Sequence, residues 1–196
     1  MVIEGQTKTR LLLVKMTCSN IIAELERKKL DIFYVVPHGY SDIVISGGFL
    51  PSIFNGEYYN VKDIDVFVLN CPPTYKIPLA EKLRGQTTES FNTSASHAPP
   101  RPPEILESII VGTCDVGQYT YPINLITTTY KTRQDLIAHF DMEQCKMHYQ
   151  DASLYFTKRI LWLIETKKIP AKDAMTAKSY RLNRYTSIGW TIENDI

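Results

Sequence analysis

Two acidic residues, Asp63 and Asp65, lie two positions apart in the segment KDIDVFVL. The β-branched and aromatic residues of this segment predict a strand, in which alternate side chains point to the same face. Ile64, Val66 and Val68 would then be buried on the opposite face. Two like charges on one face repel each other unless a cation lies between them. The spacing therefore predicts a site for Mg²⁺ or Mn²⁺, hard ions that combine carboxylate ligands with phosphate oxygens.

A short stretch before this strand has the features of a phosphate-binding turn. Ser46-Gly47-Gly48 follows the apolar run IVI and precedes FLPSIF, whose apolar residues have helical spacing. A strand that turns into a helix leaves backbone N–H groups free, and glycines let phosphate oxygens approach them. We therefore expect this turn to bind phosphate groups and to face the cation that Asp63 and Asp65 bind.

The stretch of residues 43–70 resembles the signature of the polymerase-β-type nucleotidyltransferase superfamily, especially its small viral and phage-borne members. The similarity continues in INLITTTYKTRQDLIAHFDMEQCKMHY and SYRLNRYTSIGW, up to Trp190. The resemblance implies an α+β fold with a mixed β-sheet flanked by helices and a C-terminal helical segment. It also implies an enzyme that transfers a nucleoside monophosphate from an NTP such as ATP to an acceptor. Asp63 and Asp65 would be its catalytic residues and would hold two metal ions.

Many of these relatives have a third carboxylate on a later strand, and the aligned residue here is Asn124. An amide is a weaker metal ligand than a carboxylate. The resemblance therefore leaves two alternatives: a displaced ligand such as Asp141, or a catalytically weakened protein. The weakened protein would act as a binding module in a toxin–antitoxin pair or in phage–host conflict. A plain structural interpretation, in which SGG is a turn and DIDV an exposed strand edge, is a third alternative.

Positive charge is concentrated near the end of the chain. Lys178, Arg181 and Arg184 are spaced by three residues and share one edge of a predicted helix. A basic helix edge beside stacking surfaces suits a nucleotide or a single-stranded RNA, so we expect RNA as the acceptor. The aromatic residues that would stack are Tyr180, Tyr185 and Trp190. Nucleotide-binding roles are assigned to the glycine turn and to Lys62, Lys178, Arg181 and Arg184.

Composition limits the class of protein. The 196 residues, 44% of them hydrophobic and 22% charged, are enough for one good core. A net charge of +1 neither requires nor excludes nucleic acid as a partner. The four cysteines show no zinc-type spacing, which fits the reducing cytoplasm of a host cell. We expect no association with membranes, because the apolar runs are too short to span a bilayer.

The remaining segments are predicted to position these residues. We divide the chain into a nucleotidyltransferase-like core, residues 1–156, and a helical appendage, residues 157–196. A stretch rich in serine, threonine and proline, residues 84–103, is predicted to be a mobile insert within the core. The predicted strands are 11–16, 31–36, 104–113 and 119–128, and the predicted helices are 19–30, 77–83, 132–140, 157–168 and 172–188.

Overall fold

The computed structural model describes residues 5–27, 42–75 and 102–193. The predictions for a strand at 31–36, a helix at 77–83 and nearly all of the insert at 84–103 lie outside these residues. The elements in chain order are α1 (Gly5–Arg27), β1 (Ile43–Ser46), α2 (Phe49–Phe54), β2 (Ile64–Val68), β3 (Ile105–Val116), β4 (Tyr119–Thr128), α3 (Arg133–Ala138), β5 (His148–Gln150), β6 (Ser153–Tyr155), α4 (Lys158–Thr166), β7 (Lys168–Ile169), α5 (Ala171–Thr176), α6 (Ser179–Ser187) and β8 (Thr191–Ile192).

A mixed six-stranded sheet in the order β3-β4-β2-β1-β5-β6 forms the centre of the described part. β2 and β4 run parallel, whereas every other neighbouring pair in this sheet is antiparallel. β7 and β8 form a separate, parallel two-stranded sheet. The predicted α+β class, with a mixed sheet flanked by helices, is therefore confirmed at this level.

Both faces of the sheet are covered by apolar packing. The larger buried cluster includes Ile45, Val66 and Leu125 together with residues of α1, α2 and α4. The smaller cluster lies on the opposite face, where Phe67 and Leu136 pack together with residues of β1 and β4. Asp63 and Asp65 alternate with the residues of the larger cluster, so they lie on the face of the smaller one.

The β3–β4 hairpin and α3 agree with their predictions. Asp115 and Thr120 pair next to the turn, and the Thr120 hydroxyl donates to the Asp115 carboxylate at 2.5 Å. Thr132 caps α3 by accepting a hydrogen bond from the N–H of Asp135, whose carboxylate accepts from the N–H of Thr132 in return. This reciprocal capping box fixes the start of the helix.

The first helix differs from its prediction. A strand at 11–16 followed by a helix from Ser19 was expected, but one continuous helix runs from Gly5 to Arg27. Its buried residues, among them Val14, Cys18 and Ile21, recur at helical spacing. The Ser19 hydroxyl lies within the helix and is 2.8 Å from the Tyr149 hydroxyl. The short apolar run at 11–14 was compatible with either structure, and helical packing decided between them.

The last predicted helix, 172–188, is in fact two helices. The backbone is extended at Ala177, where ψ is 147°, and at Lys178, where ψ is 133°. This break sets the direction of α6, whose Tyr185 packs edge-on against Trp190 with ring centroids 4.9 Å apart. No helix in the described ranges is long and apolar enough to cross a membrane.

Candidate functional site

The strand register places four polar side chains in a row across the sheet. Asp65 on β2 pairs with Ser46 on β1 and with Asn124 on β4. Ser46 also pairs with His148 on β5. Directly paired residues point to the same face, and Asp63 precedes Asp65 by two positions. The sheet therefore brings the predicted acidic pair and Asn124 together.

Asp65 is half-buried and lacks an ionic partner among the described residues. Its Oδ1 accepts a hydrogen bond from Nδ2 of Asn124 at 2.9 Å, and no described Lys or Arg nitrogen lies within 4.0 Å of the carboxylate. Burial, together with the charge of Asp63, raises the pKa of Asp65 to about 7, although the Asn124 hydrogen bond lowers it. Near neutral pH this carboxyl group therefore carries a proton or needs a cation.

Asp63 is half-buried as well and makes no hydrogen bond or ion pair with the described residues. Burial raises the pKa of Asp63, while the charges of Arg184 and the exposed Lys62 lower it. Both carboxylates are consequently costly in the charged form, and the repulsion between them adds to that cost.

Two predicted basic residues, Arg181 and Arg184 on α6, are half-buried near the acidic pair. Nη1 of Arg181 donates to Oδ1 of Asp141 at 2.5 Å, and Arg184 donates to the backbone carbonyl of Asn60. The positive charges of both arginines lower the pKa of Asp65. Lys178, the third member of the predicted edge, is the exposed N-cap residue of α6. Asp141 is held by Arg181 in this arrangement.

The glycine turn is packed differently from the predicted open cradle. The Ser46 hydroxyl lies 3.0 Å from the carbonyl oxygen of Cys145 and 2.9 Å from that of Met147, and its one hydrogen is shared between them. The N–H of Gly47 donates to the carbonyl of Cys145 at 3.3 Å, so neither group is free for phosphate. Gly47 has φ of +94°, and a Cβ there would lie 3.2 Å from Oδ2 of Asp65. Gly47 thus keeps this carboxylate oxygen uncrowded.

Gly48 faces the hydroxyl of Tyr185. A Cβ at Gly48 would lie 3.2 Å from that oxygen, which is also 3.2 Å from Sγ of Cys145. The sequence suggested that Tyr185 and Trp190 stack on a bound base. Both side chains are buried, so they cannot do so. Tyr180 is exposed and has the guanidinium of Arg181 over its ring.

Two residues near the acidic pair were not identified from the sequence. Oγ of Ser108 on β3 donates to Oδ1 of Asn124 at 2.8 Å. His148 is buried, its Nδ1 is 2.9 Å from the carbonyl of Lys146, and its Nε2 has no partner among the described residues. Burial lowers the pKa of His148. Neither residue belongs to a motif, and only the strand register could have placed them here.

The donor set can be compared with the predicted metal. The described ranges contain no group of three or more His, Cys, Asp and Glu side chains arranged to hold an ion. Mg²⁺ requires only one or two carboxylates when a substrate supplies phosphate oxygens. Asp63 and Oδ2 of Asp65 meet that requirement for one ion. A second ion would need its ligands from elsewhere, and the expectation of two ions stays a prediction.

Comparison with models of protein families gives a match. No curated protein matches the chain. The family model described as "Gabija anti-defense 2 family protein" matches residues 13–167, a range that contains the acidic pair, the glycine turn and Asn124. The match agrees with the alternative prediction, a module in phage–host conflict, better than with the predicted enzyme. The chain belongs to the Gabija anti-defense 2 family.

Proposed function

We propose that this protein counters the bacterial Gabija defence, inside the host cell, through a site that binds a nucleoside triphosphate together with a divalent cation. One observation carries the proposal. Asp63 and Asp65 are half-buried and have no ionic partner in the described part of the chain, yet Arg181 and Arg184 lie close enough to affect their pKa values.

The charges of this site suit a cation and a polyanion bound together. A cation between the carboxylates would remove their mutual repulsion and their desolvation cost. Arg181 and Arg184 are engaged by Asp141 and by a backbone carbonyl, which leaves further guanidinium N–H groups for phosphate oxygens. Arginine suits this role because its fork of N–H donors matches phosphate geometry. A metal–triphosphate complex supplies both charges at once.

Nucleotidyl transfer is the activity that this arrangement supports best. An acceptor oxygen forms a bond to the α-phosphorus, the bond to the bridging oxygen breaks, and pyrophosphate leaves. The cation, when bound, would lower the pKa of the attacking hydroxyl and neutralise charge on the phosphates. Asp63 and Asp65 would hold that cation, the proton of the attacking hydroxyl passes to solvent water, and Arg181 and Arg184 bind the leaving pyrophosphate. The acceptor would be a component of the defence system, with RNA as our first expectation.

A second function is binding without transfer, and Asn124 favours it. An amide stands where the resemblance places a third carboxylate, and its N–H points to Asp65. In this case the protein would sequester a nucleotide, or bind a defence component in a nucleotide-dependent way. Membership of an anti-defense family supports this alternative better than it supports an enzyme.

One experiment separates the two functions. The purified protein is incubated with each α-labelled NTP, Mn²⁺ and an extract of cells that carry the Gabija defence, with Asp65→Asn as the inactive control. Label in RNA or in protein that requires Asp65 would establish transfer and identify the acceptor class. Mn²⁺-dependent NTP binding with no label would establish the binding function. Absence of Mn²⁺-dependent NTP binding would refute both.

A further inference from the structure

Three side chains from adjacent strands form a hydrogen-bonded series that ends at the acidic pair. Oγ of Ser108 donates to Oδ1 of Asn124 at 2.8 Å, and Nδ2 of Asn124 donates to Oδ1 of Asp65 at 2.9 Å. We call this series the hydroxyl–amide relay. In the register, Ser108 pairs with Ile126 and Asn124 with Ile110, so the two polar side chains are diagonal neighbours on one face.

The relay determines which atoms of Asn124 face Asp65. A serine hydroxyl can donate only one hydrogen, and here that hydrogen goes to the amide oxygen. The amide nitrogen, which has only hydrogens to offer, is turned toward Asp65, whose carboxylate accepts hydrogen bonds, and the Ser108 hydroxyl holds the amide oxygen on the other side. A cation placed against these N–H groups would be repelled, so Asn124 cannot act as a metal ligand in this orientation.

The two oxygens of Asp65 consequently have different roles. Oδ1 accepts from Asn124, whereas Oδ2 lies on the side of Gly47, where a Cβ would come within 3.2 Å of it. No described residue donates to Oδ2. The free oxygen therefore points away from Asn124 and toward the glycine turn.

We propose that Ser108 is a positioning residue which, by fixing the amide of Asn124 as a donor, reserves Oδ2 of Asp65 and the carboxylate of Asp63 for a single divalent cation on the Gly47 side. This inference rests on the cation site of the proposed function. It adds the number of ions, the oxygen that binds the ion and the residue that controls its orientation.

A Mn²⁺ titration with calorimetry and electron paramagnetic resonance tests the inference through stoichiometry and affinity. Four proteins are compared: wild type, Ser108→Ala, Ser108→Thr and Thr120→Ala. The last variant is the matched control, because it removes a strand hydroxyl that bonds only the hairpin residue Asp115. Thermal melting establishes that each variant is folded.

Wild type should bind one Mn²⁺ per chain. Ser108→Ala should bind it about 10-fold more weakly, the usual lower limit for loss of a residue that orients a metal ligand. Ser108→Thr retains the hydroxyl and should restore the affinity, and Thr120→Ala should match wild type. Two ions bound per wild-type chain, or an unchanged affinity in Ser108→Ala, would overturn the inference but leave the proposed function standing. No Mn²⁺ binding to wild type, either alone or in the presence of ATP, would refute the proposed function itself.

Discussion

The amide nitrogen of Asn124 and Oδ1 of Asp65 lie 2.9 Å apart on neighbouring parallel strands. In this register the two side chains are directly paired and share one face, so the amide is the polar group that Asp65 meets along the sheet. A donor at this position lowers the pKa of Asp65 without adding charge. The pair therefore partly offsets the cost of holding two carboxylates side by side.

A carboxylate at position 124 should reverse this effect. In Asn124→Asp a third acidic group replaces the donor, so we expect the metal-free protein to lose about 1–3 kcal/mol of stability, as when a buried hydrogen-bond donor is removed. Added Mn²⁺ should raise the melting temperature of this variant more than that of wild type, because three carboxylates bind a cation more tightly than two. Thermal melting with and without Mn²⁺ is the measurement. Equal Mn²⁺ shifts in the two proteins would contradict the prediction.

The stability of the metal-free protein should depend on the ionisation of Asp65. The pKa of about 7 in the folded chain is above the ordinary aspartate value of about 4. The folded state therefore binds the proton more tightly, and this contribution to the free energy of unfolding is complete below pH 4 and is lost as the pH rises through 7. Asp65→Asn lacks the titration, and its amide oxygen can still accept from Asn124.

We accordingly expect Asp65→Asn to have a higher melting temperature than wild type at pH 8. The difference should be about 2–4 °C for each kcal/mol by which removal of the charge repulsion raises the free energy of unfolding. At pH 4 the two proteins should melt at similar temperatures. His148, whose pKa is lowered by burial, makes an opposite contribution to the pH dependence. This contribution cancels in the difference between the melting temperatures of the variant and wild type. The measurement is thermal melting in the absence of divalent cations. A difference that does not vary with pH would show that Asp65 does not titrate in this range.

Gly48 and Tyr185 should be coupled through space. A methyl group at Gly48 would lie 3.2 Å from the Tyr185 hydroxyl, which is buried and cannot easily move. Gly48→Ala should therefore destabilise the wild-type protein by about 1 kcal/mol, the usual size of a mild overpacking penalty. In a Tyr185→Phe background the same change should be neutral or stabilising. Chemical denaturation of the four proteins gives the coupling energy, and additive effects would show that the two residues do not interact.

Arg184 should matter for triphosphate binding and Lys178 should not. Arg184 is half-buried and acts on both aspartates, whereas Lys178 is exposed at the start of α6. Arg184→Gln should weaken Mn²⁺·ATP binding at least 10-fold, or about 1.4 kcal/mol, within the range for hydrogen bonds to charged groups. Lys178→Gln, the matched control on the same helix edge, should change the affinity less than about twofold.

A salt titration of variants substituted singly at Lys178, Arg181 and Arg184 examines the expectation of an RNA acceptor. If Lys178, Arg181 and Arg184 contact RNA phosphates together, each substitution should reduce the log–log salt slope of RNA binding by about one unit. Our interpretation of the site predicts a smaller slope change for Arg181 and Arg184 than for Lys178, since both arginines point toward the acidic pair. Equal slope changes at all three positions would instead indicate that all three side chains contact RNA phosphates along α6.

Local pattern predicted β2 and the β3–β4 hairpin because both depend on neighbouring residues. Alternation in DIDVFV places the aspartates on one face, and the turn near Asp115 joins two apolar segments. The helical character of 11–16 could not be predicted in this way. A run of four apolar residues suits either structure, and the contacts of Val14 and Cys18 with the core favour the helix.

The candidate site was predictable only in part, for a related reason. The position of Asn124 beside the acidic pair followed from the resemblance and agrees with the strand register. Ser108 lies in an ordinary strand sequence, and only the diagonal pairing with β4 makes it a partner of Asn124. The burial of Tyr185 depends on the break before α6. The sequence has no proline or glycine at this break, so it could not be predicted.

The central claim is that the anti-defense activity requires the acidic pair. The direct measurement is the plaque count of a Gabija-sensitive phage on cells that carry the Gabija defence and express this protein. Wild type should restore plaques, Asp65→Asn should not, and Asp115→Asn should restore them, because it makes the same substitution at an exposed position of the β3–β4 hairpin. Immunoblots confirm equal protein levels. Full restoration of plaques by Asp65→Asn would contradict the claim and place the activity elsewhere on the molecule.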